Sequence, residues 1–225
     1  MSGMGGMGVD TFVKAKTIKD AEKWALENGL ADKVNYKKTS VEVANEINRV
    51  LSENLKQHNI KLDNIIPLNS RTKENKTNFF IVKTTKNIEA TKIRQDFNYS
   101  TKNAKDMEAV NETLKKLDSS GLMKNVTLED ALTHESGHVI DGAINVRKWD
   151  TLSDDMQVAL EKKWMDLDGD IELGGSRYKR SMNEKAGEYW DVQKTEEFAE
   201  LYRLFKAGKL PKDIEYVADI FGELL

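Results

Sequence analysis

Residues 127–141 read Thr127-Leu-Glu-Asp-Ala-Leu-Thr-His134-Glu135-Ser136-Gly137-His138-Val139-Ile140-Asp141. Thr127 followed three positions later by Asp130 is close to the capping box that opens a helix. Val139, Ile140, Ala143 and Ile144 give that helix an apolar face with which to anchor itself. Residues four apart on a helix share a side, one turn from each other. The imidazoles of His134 and His138 can therefore reach the same small cation. Glu135 points to the neighbouring side, where it can polarise a metal-bound water. The chain holds 3 histidines in all, so this pair, with a glutamate directly after the first, reads as a motif rather than as scatter.

A catalytic zinc takes three protein ligands and keeps an open position. The chain has 0 cysteines, which excludes thiolate sites, disulfide scaffolds and thiol catalysis. His58, the remaining histidine, sits in a polar helix end (Lys56-Gln57-His58-Asn59) and reads as a solvated surface residue. A carboxylate is left as third ligand. Thr195-Glu196-Glu197-Phe198-Ala199-Glu200 begins an amphipathic helix on which Glu196 and Glu200 share a face, while Phe198, Leu201, Tyr202 and Phe205 supply apolar contacts. Either glutamate could complete the site. The same acids also suit the solvated first turn of a helix, where the macrodipole favours negative charge. Spacing alone leaves these readings open.

Around this pair of helices the chain reads as α+β, with the sheet early and the helices late. Apolar spacing predicts helices over 17–30, ended by Gly29, and over 40–58, capped by Ser40. Pro67 marks a break. Residues 78–85, rich in aromatic and β-branched side chains, read as a buried strand. Residues 90–99 alternate Ile93, Gln95, Phe97 and Tyr99 against polar neighbours and read as a strand with one wet face. As a sheet edge that strand could add a peptide substrate by β-pairing. Helices follow over 105–117 and 195–206, with Gly208 as a stop, and Pro211 opens a last one. Residues 151–188 are polar and weakly periodic, a helix plus long loops. Within them Asp166-Leu-Asp168-Gly-Asp170 lacks the spacing of a calcium-binding EF-hand loop and reads as an acidic turn.

With 225 residues the chain suits a single domain: a flexible leader over 1–16, Gly- and Met-rich at its start, then one domain over 17–225, divided at 126/127. The 35 Lys and Arg against 38 Asp and Glu, a net charge of −3, argue against a nucleic-acid partner. No apolar run is long enough for a membrane span. No secretory signal is visible at the start of the chain, so the expected location is cytoplasmic or virion-associated, the chain being whole or a piece of a larger protein.

His134-Glu135-Ser136-Gly137-His138-Val139-Ile140-Asp141 together with Glu196-Glu197-Phe198-Ala199-Glu200 resembles the catalytic domain family of anthrax lethal factor, gluzincin metallopeptidases. In that family a His-Glu-x-Gly-His-x-x-Asp helix is followed by a tyrosine and, seven residues later, by the ligand glutamate of a Glu-Phe-Phe-Ala-Glu helix. Tyr189 stands seven residues before Glu196 here, and the one departure is Glu197 in place of phenylalanine. The likeness covers about residues 127–225, with gaps. It implies a zincin-like domain with a small mixed sheet, an active-site helix and a helical C-terminal subdomain. It also implies one Zn2+ on His134, His138 and Glu196, and Glu135 as general base. Tyr189 would stabilise the oxyanion, although beside Trp190 it also reads as a packing aromatic. Asp141 and Glu200 would orient the ligands. The implied activity is that of a zinc metalloendopeptidase, hydrolysing a protein or peptide substrate by glutamate-assisted attack of a zinc-bound water. Upstream, residues 17–28 and 36–48 resemble a segment of phage minor head (head morphogenesis) proteins. That second likeness implies phage head proteins as partners and a zincin fold kept for structure or interaction with little proteolysis. A toxin or effector protease acting on a host protein is the remaining alternative.

Overall fold

Two neighbouring parallel strands need a crossover between them, and here it is a helix. β1 (Ala31–Val34) passes through Ser40, whose hydroxyl caps α2 (Val41–Leu55), and the chain returns as β2 (Leu62–Pro67), parallel to β1 with Ala31 opposite Leu62. This is a computed structural model that describes residues 12–86, 93–120, 126–149, 171–173, 176–178 and 199–210, with 212, 215 and 218. Ahead of β1, α1 (Ile18–Glu27) is capped by Thr17, whose hydroxyl accepts from the Asp20 amide at 3.2 Å, and reverses at Gly29, where φ is +66°. Its buried side chains are alanines, Ala21 and Ala25, so it lies close on α2. Asn48 of α2 fastens the pair, donating to the Ala21 carbonyl at 2.9 Å and accepting from the Tyr36 hydroxyl at 2.7 Å.

After the short α3 (Lys73–Thr77), β3 (Phe80–Lys86) and β4 (Ile93–Tyr99) form an antiparallel pair, and β4 also runs parallel to β2. The sheet is four-stranded and mixed, in the order β1-β2-β4-β3. α4 (Met107–Ser120) and α5 (Leu128–Trp149) follow. A two-stranded ribbon pairs β5 (Ile171–Leu173) with β6 (Ser176–Tyr178), and a further helix, α6, covers 199–206. The core lies between the sheet and α2 and α5, where Ile47, Leu51, Ile65, Phe97, Leu132 and Ile140 are fully buried.

α5 is held from two sides. Toward α2, the Asn54 amide donates to the Ser136 hydroxyl at 3.2 Å and to Thr133 at 3.4 Å. Toward the sheet, the Gln95 amide of β4 donates to the Val139 carbonyl at 2.8 Å. One turn on, a Cβ at Gly142 would stand 2.5 Å from the Thr84 hydroxyl of β3, so the helix meets the sheet without room for a side chain there. At its start the Asp130 carboxylate accepts from the Thr127 amide at 2.9 Å while the Asp130 amide donates to the Thr127 hydroxyl at 3.1 Å, the reciprocal cap read from the sequence.

Several expectations are corrected. β4 lies between β2 and β3, so it has no free edge on which a peptide could pair; among the described residues the edge beside it is β3. β3 is accordingly not a buried strand: Phe80 is buried, but Lys83, Thr84 and Thr85 are exposed. The wet face of β4 is partial, because Arg94 is exposed while Asn98 is buried. β1 and β2 were not legible as strands; Pro67, read as a break, is the last residue of β2 and lies opposite Tyr99. His58 is not solvated: it is half-buried, with both ring nitrogens shielded from solvent. In the stretch 151–188 the described residues, 171–173 and 176–178, form the β5–β6 ribbon, and the helix expected there lies outside them. Of the leader expected over 1–16, residues 12–16 are described, and Ala15 is fastened to α2, its amide donating to Asn45 Oδ1 at 2.8 Å and its carbonyl accepting from Asn45 Nδ2 at 2.9 Å. Residues 1–11, Asp166 to Asp170, Tyr189, Glu196 and most of the helix expected after Pro211 lie outside the described residues. No described helix is long and apolar enough to cross a membrane.

Candidate metal centre

The helical register of α5 places His134 and His138 edge to face, with ring centroids 4.9 Å apart and ring planes at 81°. His134 is buried; Glu135, His138 and Asp141, on the same helix, are half-buried. The second component arrives from α6. Its backbone comes so near α5 that a Cβ at Gly137 would lie 2.7 Å from the Ala199 Cα. The glycine between the two histidines is thus the point of helix-to-helix contact, and the residue next to Ala199 is Glu200.

Glu200 is fully buried, and its Oε2 stands 3.1 Å from His134 Nδ1. Arg203, one turn further along α6, holds the same carboxylate from its other side. Its Nε donates to Oε2 at 2.9 Å and its Nη2 to Oε1. The remaining nitrogen, Nη1, reaches Asp130 Oδ1 at 3.4 Å. Burial raises the Glu200 pKa, but the hydrogen bonds from His134 and Arg203 and their charges outweigh it, and the carboxyl is held below its ordinary value of 4.5. Burial likewise works against the Arg203 charge, and Glu200 and Asp130 overcome it.

An ionised carboxylate only accepts, so His134 turns an Nδ1–H toward Glu200. A metal on His134 would then be taken by Nε2, the carboxylate–histidine–metal arrangement in which the carboxylate fixes the tautomer and orients the ring. Both oxygens of Glu200 are engaged by protein donors, so a direct ligand role would cost it those bonds. Two imidazoles one turn apart, one of them set by a buried carboxylate, form a donor set that suits zinc, with oxygen ligands to complete it.

The described residues therefore bring together His134, His138 and Glu200, with Glu135 and Asp141 on the histidine helix. Glu196 and Tyr189 lie outside them, and among the described residues no group of three histidine, aspartate or glutamate side chains is placed to hold a metal ion. Two participants escaped the sequence reading. Arg203 had a usable signal, since a cation three residues after a glutamate on a helix is its neighbour. Asp130 was read as a cap and not as an anchor for a distant arginine, because nothing in sequence links positions 130 and 203. Comparison of the chain with models of known protein families, with curated proteins and with solved structures gives no match.

Proposed function

We propose that the chain is a zinc-dependent metalloendopeptidase of gluzincin type, acting on a protein or peptide substrate. The observation that supports this best is the buried Glu200 carboxylate on His134 Nδ1, with His138 one turn away on the same face. A surface helix with incidental histidines has no reason to bury an ionised glutamate from another helix against one imidazole. In this reading His134 and His138 hold the metal through ring nitrogens, and Glu196 supplies the third ligand.

Zinc, when bound, supplies Lewis acidity that polarises a water and a carbonyl group. Glu135 accepts a proton from the attacking water on its carboxylate and delivers it to the leaving amine nitrogen. Tyr189 donates a hydrogen bond to the oxygen on which charge develops. Glu200 keeps the His134 ring in one tautomer and one orientation throughout. The test is Glu135→Gln, assayed against a mixed peptide library with zinc content measured in parallel. The expected result is hydrolysis lowered by about two to four orders of magnitude with zinc retained. Cleavage at the wild-type rate would overturn the mechanism.

A further inference from the structure

The site reading accounts for Glu200 but not for the arginine that grips it. Arg203 is buried, with 4% of its side chain exposed, and so is its partner, at 0%. A buried ion pair is weak evidence for stability, because desolvating both charges consumes much of their attraction, and a packed apolar pair often serves as well. The geometry is also more specific than an ion pair requires. Three guanidinium nitrogens are used: Nε and Nη2 on the two oxygens of Glu200, and Nη1 on Asp130 Oδ1. Oε2 is shared between Arg203 Nε at 2.9 Å and His134 Nδ1 at 3.1 Å. Asp130 in turn uses its other oxygen, Oδ2, to close the Thr127 cap at the start of the histidine helix. The bonds form a closed path that leaves α5 at its first turn, crosses to α6, and returns to α5 at His134.

We propose that Arg203 is a positioning residue for the metal centre, acting through Glu200. It fixes the carboxylate by a planar two-point contact, so that one oxygen remains aimed at His134 Nδ1, and it ties that aim to the N-terminus of α5 through Asp130. The role rests on the metal-centre reading above. Arginine suits it because the guanidinium fork matches both carboxylate oxygens, which a lysine ammonium does not. A carboxylate held by one point contact can swing about its last bond, and the imidazole would lose its fixed orientation with it.

The experiment uses the full chain and the metal alone. Zinc affinity is measured by competition with a chromogenic chelator, the visible spectrum of the Co2+-loaded protein is recorded, and a urea midpoint is taken on the metal-free protein. The variants are Arg203→Met, Arg203→Lys, Glu200→Gln and the double Glu200→Gln/Arg203→Met. Arg203→Met should weaken zinc binding about 10- to 100-fold, the range for a lost partner of a metal-bound histidine, and alter the Co2+ spectrum. Arg203→Lys should recover the urea midpoint more fully than the affinity or the spectrum. The double variant should bind no more weakly than Glu200→Gln alone, since one residue acts through the other.

Wild-type affinity and an unchanged Co2+ spectrum in a folded Arg203→Met protein would overturn the proposal while leaving the metal centre intact. So would additive losses in the double variant. If Arg203→Met fails to fold, Arg203→Lys and Asp130→Asn decide: an altered Co2+ spectrum supports positioning, and a wild-type spectrum in both overturns it. A wild-type chain that binds neither metal overturns the metal-centre reading itself, and this proposal with it.

Discussion

At the scale of single residues the proposed metal centre turns on Glu200, an acid buried fully and yet held ionised. Its pKa lies below the ordinary 4.5, because the hydrogen bonds and charges of His134 and Arg203 exceed the cost of burial. The sign of the linkage follows. In the unfolded chain the carboxyl takes up its proton at a higher pH than it does in the fold. Glu200 therefore contributes stability above about pH 4.5, the unfolded value, and loses it as the pH falls through the lower folded value. Urea midpoints of the metal-free protein should drop as the pH falls below about 4.5, and Glu200→Gln should flatten that drop while lowering the midpoint at neutral pH. A Glu200→Gln protein with the same acid slope as wild type would show that other groups carry it. This residue was half legible in the sequence. Helical spacing put Glu196 and Glu200 on one face as candidate ligands, and only the three-dimensional partners of Glu200 distinguish an acid that supports a histidine from one that binds metal.

Elements were legible where their signals are local and illegible where they depend on neighbours. The caps at Ser40 and Thr127 and the stops at Gly29 and Gly208 stand where short-range chemistry places them. β2 was missed because Asp63, Asn64 and Pro67 look like loop residues. In the fold the Asp63 carboxylate accepts from the Gln95 backbone N–H at 2.7 Å and the Asn64 side-chain amide donates to Asp96 at 2.5 Å, so the polar side chains are satisfied across the strand pair. The alternation of β4 resembles that of a half-wet edge strand, yet its place between β2 and β3 is a property of the sheet and not of the segment. The contact of α5 with α6 is likewise invisible in either helix alone. It makes Gly137 a sensitive position, since an added Cβ would meet backbone, which has no rotamer to move away. Gly137→Ala should destabilise the protein by about 1–3 kcal/mol, the cost of overpacking, and weaken metal binding as α6 withdraws Glu200. The control is Gly208→Ala, which forces a side chain onto a residue at φ +64° and should cost about 1–2 kcal/mol with metal affinity unchanged. Equal effects of the two substitutions on metal affinity would show that the close approach at Gly137 does not position the centre.

For the whole molecule, a four-stranded mixed sheet and α2 clamp a histidine-bearing helix from both sides, and α6 closes over it with one carboxylate and one guanidinium. Composition and motif spacing were enough to read an α+β chain and to locate the His134–His138 helix. They could not show the strand order or the Asp130–Arg203 link, because each of these joins residues far apart in sequence. The most direct test of the metal centre is the zinc content of the wild-type chain beside that of Glu196→Ala, by elemental mass spectrometry after dialysis. One zinc per chain in the wild type, lost or much weakened in Glu196→Ala, is the predicted result. Equal zinc in both would move the third ligand away from Glu196, and no zinc in either would contradict the metal centre itself.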